Sequence, residues 1–313
     1  MMTDTSVNAA KTDKGLSGVL CPVITPFDEN LDPDGARLAR QCRWLLSRNT
    51  GLAVFGTNSE ANSLSVGEKI QLLDQLVDES VDTGRMMPGT GCCALPDTVR
   101  LTTQAVRLGC AGALMLPPFY YKGVSDDGLF ASYSEVIERV GDPALRIYLY
   151  HIPPVSQVGI SPDLIERLLK AYPDTIAGVK DSSGDWSNTL AMLERRWDGF
   201  RVFAGSESFL LQNMRHGGAG CISATANVNP AAIDRLYREW RSDGAETLQD
   251  ELNAVRNTFM DFPMIPALKA TVARHSGDAA WRRVRPPLLS LSEENSVALA
   301  GALDRLGFDM PGL

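Results

Sequence analysis

Of the seven lysines in this 313-residue chain, Lys180 alone ends an apolar run, Ile176-Ala177-Gly178-Val179, of the kind that forms a central strand. A lysine of ordinary pKa, ~10.4, is only roughly 0.04% free amine at pH 7, too little for a useful nucleophile. Burial in an apolar pocket penalises the charged form and can bring such an amine towards ~7–8, where it condenses with a carbonyl to give a Schiff base. The local sequence leaves a second reading equally open, in which Lys180 is paired with Asp181 or Glu60. Tyr150 closes an earlier apolar run, Arg146–Pro153 (RIYLYHIP). A phenol both donates and accepts, so it can relay protons, although an aromatic plug is the plainer alternative. The turn Gly56–Glu60 (GTNSE) offers consecutive backbone N–H groups and hydroxyls where a helix begins, which suits a carboxylate. Turn chemistry alone also explains it.

Elements able to hold these groups recur along the chain. Eight short apolar runs each lead through a turn into an amphipathic stretch: Gly18–Phe27, Gly51–Gly56, Arg85–Gly91, Gly112–Pro118, Arg146–Pro153, Ile176–Ser183, Arg201–Glu207 and Cys221–Asn227. Continuous apolar runs suit strands buried on both faces, and eight strand–helix units predict a closed (β/α)8 TIM barrel, an α/β fold. Val66–Thr83 and Pro162–Tyr172 carry helical three- and four-residue spacing. Asp32 or Asp34 caps the first helix, and Ser161 the one opening at Pro162. No strand pattern follows the eighth run. The expected domains are a disordered leader over 1–15, a barrel over 16–230 and a helical appendage over 231–313. In a barrel of this kind chemistry sits at the carboxyl ends of the strands. Besides Lys180 and Tyr150, the polar groups there are Thr57, Asn58, Ser59, Glu60, Tyr120, Tyr121, His151, Asp181, Ser206 and Glu207.

Composition removes several classes of partner. A net charge of −8 argues against a nucleic acid, and no apolar stretch approaches the ~20 residues of a membrane span. The six scattered cysteines read as buried free thiols of a reducing, cytoplasmic compartment. Gly89–Ala94 (GTGCCA) imitates a dinucleotide fingerprint, but no acidic residue follows about 20 positions later. Asn30–Gly35 imitates a calcium loop, interrupted by Pro33, with Gln41 where the twelfth-position Glu belongs. Three histidines without ligand spacing complete the expectation of no metal and no cofactor.

At these residues the chain resembles the dihydrodipicolinate synthase / N-acetylneuraminate lyase family of class I aldolases. Seven segments carry the resemblance in order: Pro22–Phe27, Gly56–Glu60, Pro117–Lys122, Tyr150–Pro153, Gly178–Asp185, Ala204–Glu207 and Gly220–Pro230. The resemblance implies a barrel with three C-terminal helices in a homodimer or homotetramer. It implies Lys180 as Schiff-base nucleophile, Tyr150 as proton relay, Thr57 beside it, and Tyr120, less well Tyr121, as a residue lent across a subunit interface. Asn58 and Ser59 fall on the carboxylate-binding pair, and Gly205 and Ile222 on the pocket lining. The synthases carry an arginine for a second substrate carboxylate in the loop after the tyrosine. Here that loop, His151–Gly159 (HIPPVSQVG), has none. The expectation is therefore a lyase joining or cleaving pyruvate, or another 2-oxo acid, and an aldehyde at the level of a 2-oxo-3-deoxy sugar acid, with His151 and Gln157 available to its hydroxyls. A sugar-acid dehydratase, 4-hydroxy-tetrahydrodipicolinate synthase and a catalytically silent binding barrel are the alternatives.

Overall fold

The computed structural model describes residues 15–313, so the leader expected over 1–15 lies, apart from Gly15, outside the described residues. One sheet of seven parallel strands forms the centre: β1 (Gly18–Cys21), β2 (Gly51–Leu52), β3 (Ala113–Met115), β4 (Ile147–His151), β5 (Ile176–Asp181), β6 (Arg201–Ala204) and β7 (Gly220–Ile222). Their order is β2-β1-β7-β6-β5-β4-β3. The third expected strand, Arg85–Gly91, closes the gap between β2 and β3 as isolated bridges, Leu52 to Met86 and Gly89 to Leu114. Its Met87 and Gly89 amides donate to the Leu52 and Val54 carbonyls at 2.7 Å, and its Thr90 amide to Leu114 at 2.9 Å. Pro88, in the middle, has no N–H to continue the ladder. Seven strands plus this stave complete the TIM barrel. The glycines of the GTGCCA motif are packing residues of the stave. A Cβ on Gly89 would lie 2.1 Å from the Phe55 carbonyl oxygen, and one on Gly91 2.4 Å from the Leu116 amide.

Helices α1 (Gly35–Ser47), α2 (Val66–Asp78), α3 (Leu95–Arg107), α4 (Asp126–Val140), α5 (Pro153–Ser156), α6 (Pro162–Ala171), α7 (Trp186–Glu194) and α8 (Leu210–Arg215) alternate with the staves. Next come α9 (Pro230–Glu239), α10 (Ala245–Met260), α11 (Met264–Ser276) and α12 (Glu293–Arg305). The expected grouping of α9 with the appendage meets a different packing: Tyr237 of α9 lies against β1, 3.5 Å from the position of a Cβ on Gly18. That makes α9 the barrel's last ring helix, and α10–α12 the three-helix extension. Leu252, Phe259, Leu268, Val272, Leu299 and Leu303 of that extension share one buried cluster with Val19, Cys21 and Val23 of the barrel wall. Among the described residues no helix is long and apolar enough to cross a membrane.

Local signals set the helix starts. Asp34, rather than Asp32, caps α1 by accepting from the Arg37 amide at 2.8 Å, and Ser161 accepts from Leu164 at 3.0 Å. At α2, Ser65 and Glu68 cap each other's backbone, and Arg285 pairs with Glu68. The Arg285 hydrogen bond, with help from Ser65, holds the Glu68 carboxyl down at about 2 from an ordinary 4.5. A depressed carboxylate contributes stability that is fully present above the unfolded pKa and lost as pH falls through the folded one. Glu68→Gln should therefore melt below wild type above about pH 4.5, with the gap narrowing as pH falls towards about 2. Paired thermal melts across that window check it; a gap constant with pH would contradict it.

The six cysteines are free, but only Cys21, Cys42 and Cys221 are buried, while Cys92 and Cys110 are half-buried and Cys93 is exposed. The expectation that they are buried holds for half of them. Burial pushes the thiols of Cys42 and Cys110 up to about 12, which keeps them protonated and inert.

Candidate active site

Strand alternation divides the barrel wall into two sets. Leu20, Ala53, Met87, Leu114, Tyr148, Tyr150, Phe203 and Ile222 form the interior cluster, while Ile147, Leu149 and Val179 face the helices. Tyr150 on β4 and Lys180 on β5 are direct cross-strand neighbours and face inward together. Lys180 is 2% exposed, and its Nζ lies 4.3 Å from the centre of the Tyr150 ring. The Tyr150 hydroxyl meets the Thr57 Oγ1 at 3.0 Å, 93 positions apart in sequence. A buried amine, a phenol and an alcohol thus stand in a row at the carboxyl ends of β4, β5 and β2.

The two carboxylates able to pair with Lys180 are engaged elsewhere. Asp181 faces the helix layer, where it accepts from Thr189 at 2.6 Å, Asn188 at 3.0 Å and the Ser183 amide at 2.9 Å. Glu60 pairs with Lys269 of α11, and the side chains of both are 0% exposed. Burial lowers the Lys269 amine from 10.5 to about 8, against the opposing pull of Glu60. Breaking such a pair by removing one partner costs about 3–5 kcal/mol. Lys269 escapes a sequence reading because it lies in helix α11, with 209 positions between it and Glu60. Its one signal is a charge inside an apolar helical run, PALKATVA.

The other expected residues divide. Ile222 is fully buried in the interior cluster with Tyr150. Gly205 follows β6, donating its amide to the Asp181 carbonyl at 2.7 Å; a Cβ there would sit 2.2 Å from Ser182 Oγ. Asn58 and Ser59 belong to the 3-10 turn Thr57–Ser59. The Ser59 hydroxyl accepts from the Gly56 amide at 3.1 Å, and its carbonyl accepts from Thr25 at 2.7 Å, so Ser59 builds the turn from within. The N–H groups of Thr57 and Asn58 open that turn and are not used by its own hydrogen bonds.

His151 does not join the lysine. It is the next residue after inward-facing Tyr150, and its Nδ1 accepts from the Ile160 amide at 2.9 Å. Burial holds the imidazole below its usual range, with Asp181 opposing. Gln157 is exposed, at a positive φ of 54°. Tyr120 and Tyr121 are each 74% exposed and meet edge to face at 5.4 Å, so a single chain does not bring Tyr120 to Lys180. In the loop after β4, Lys122 is the cation that arrives, but its amine donates to the carbonyls of Phe119 and Ser156.

Glu207 forms a second buried polar centre, accepting from the Ser223 and Thr225 hydroxyls, while Gln249 of α10 donates to its carbonyl at 3.0 Å. The AGSE segment points to Glu207, but nothing local in sequence points to the hydroxyls that hold it.

Known proteins align with this architecture along nearly its whole length. The model of the dihydrodipicolinate synthetase family matches residues 15–306. An uncharacterised DapA-like lyase of Chloroflexus aurantiacus is 32% identical over 92% of this chain and 96% of its own. The 4-hydroxy-tetrahydrodipicolinate synthase of Methanococcoides burtonii is 31% identical over 93% of this chain and 98% of its own. The crystal structure of dihydrodipicolinate synthase from Agrobacterium tumefaciens, 31% identical, superposes with a TM-score of 0.85 over 92% of this chain and 99% of that one. The chain belongs to the dihydrodipicolinate synthetase family and is a lyase.

Proposed function

We propose that the protein condenses Lys180 with pyruvate or another 2-oxo acid, and that it makes or breaks the C3–C4 bond of a 2-oxo-3-deoxy sugar acid. One observation carries this reading: an amine 2% exposed, with no carboxylate partner among the described residues and a Tyr150–Thr57 hydroxyl pair beside it. In the cleavage direction the amine adds to the C2 carbonyl and water leaves, giving the iminium. The C4 hydroxyl then gives up its proton and becomes the carbonyl of the departing aldehyde, while the electron pair of the breaking C3–C4 bond moves into the iminium to form an enamine. Protonation at C3 and hydrolysis release pyruvate and restore the amine. Tyr150 moves the protons, with Thr57 as its hydrogen-bonded partner. The Thr57 and Asn58 amides grip the substrate carboxylate, and Ser59 shapes their turn. Gly205 and Ile222 line the pocket. His151 acts on the substrate through the loop it pins at Ile160. Tyr120, exposed in one chain, enters a site from a second copy in a homodimer or homotetramer.

A synthase reading is favoured by the names of curated relatives at 31% identity. It requires a partner for a second carboxylate. The loop His151–Gly159 has no arginine, and Lys122 is committed to two carbonyls. Pyruvate release from a panel of 2-oxo-3-deoxy sugar acids, coupled to lactate dehydrogenase, separates the readings when 4-hydroxy-tetrahydrodipicolinate synthesis is assayed in parallel. The expected kcat/KM for synthesis is lower by about 10²-fold or more, the scale of an unpaired buried charge. Synthesis as efficient as cleavage would remove the sugar-acid assignment. A 2-oxo product formed without pyruvate would mark a dehydratase.

A further inference from the structure

We propose that Lys269 is a positioning residue for the reaction: through its buried ion pair with Glu60, the C-terminal extension sets the turn that places Thr57 against Tyr150. This rests on the Schiff-base reading above, but concerns a residue of α11 that touches none of the reacting groups.

Glu60 is the pivot of two successive 3-10 turns, closing Thr57–Ser59 and opening Ala61–Ser63. Its backbone is left-handed, φ 56° and ψ 34°, a conformation that a residue with a side chain holds only when its surroundings impose it. Its amide donates to the Thr57 carbonyl at 3.2 Å, so its orientation is passed directly to Thr57. Among the described residues, the hydrogen bonds that fix the carboxylate come from the extension and the segment after α11. Lys269 holds Oε1, and the Arg285 amide donates to Oε2 at 2.9 Å. Lys269 is itself tied down, donating to the Arg283 carbonyl at 2.7 Å and lying 4.4 Å from the centre of the Phe27 ring. The Arg285 guanidinium holds the far end of the same turn, donating to the Ser63 carbonyl at 2.6 Å. The extension meets the mouth again at Glu207, through the 3.0 Å hydrogen bond from Gln249 to its backbone carbonyl and a 3.7 Å charge contact from Arg256.

A lysine kept for stability alone would cost folding when removed and leave the chemistry of each folded molecule untouched. A positioning lysine changes the rate at which Lys180 captures a 2-oxo acid. The test compares wild type, Lys269→Met, and the charge-neutral double variant Glu60→Gln/Lys269→Met. The double variant leaves no unpaired buried charge and so remains foldable should the single one not be. Pyruvate plus borohydride traps the imine; exhaustive trapping at saturating pyruvate counts sites, and the time course gives the rate per site. Both variants are expected to trap more slowly and to show a higher KM for the 2-oxo acid, by on the order of 10–100-fold, the scale of an ångström-sized misplacement. A double variant that melts as a folded protein and traps at the wild-type rate with unchanged KM would overturn the proposal. Wild type forming no adduct would instead remove the Schiff-base reading, and this inference with it.

Discussion

Lys180→Ala is expected to give a folded protein with no measurable turnover, reduced by on the order of 10⁴-fold or more, as when a covalent nucleophile is deleted. The lysine stem occupies the barrel interior beside Tyr150, so alanine leaves a cavity and lowers the melting temperature. Lys180→Met keeps most of the volume and isolates the amine. Both variants should retain weak binding of a 2-oxo acid, because the turn that carries Thr57 and Asn58 is untouched. Turnover within tenfold of wild type in the folded methionine variant would show that the amine does not form the covalent intermediate.

Tyr150→Phe is the second large effect. The ring is 2% exposed within the interior cluster, and phenylalanine preserves that packing, losing one hydrogen bond to Thr57 worth about 1 kcal/mol. Turnover should nevertheless fall by roughly 10²–10⁴-fold, the usual contribution of positioned proton transfer. Thr57→Val removes only the partner of the relay and should fall between wild type and Tyr150→Phe. Steady-state rates with melting curves separate the chemical effect from the structural one. Equal losses of rate and of stability in Tyr150→Phe would argue that the phenol is a plug.

Which features a linear reading captures depends on whether their cause is local. The apolar runs that end at Tyr150 and Lys180 identify β4 and β5, and the structure pairs the two residues directly across these adjacent parallel strands. Strand alternation was equally available for His151: if Tyr150 points in, the next residue points out, and the imidazole ends on the Ile160 amide. The third stave reads as a strand from its apolar residues, but Pro88 limits it to isolated bridges. Placing Glu60 needed information no local pattern holds. In sequence its carboxylate stands nearer to Lys180 than to Lys269, and only the folding of α11 against the turn gives it to Lys269. Tyr120 marks the other limit: 74% exposed and stacked edge to face on Tyr121, it has no place beside Lys180 within its own chain, so the role proposed for it in a second copy leaves no trace there.

Incubation with pyruvate and borohydride, followed by proteolysis and mass spectrometry, reads the central claim directly. A single reduced adduct is expected on the peptide containing Lys180, and none in Lys180→Met. Modification of another lysine, such as Lys269 or Lys69, or no adduct on a protein that turns over its substrate, would contradict it.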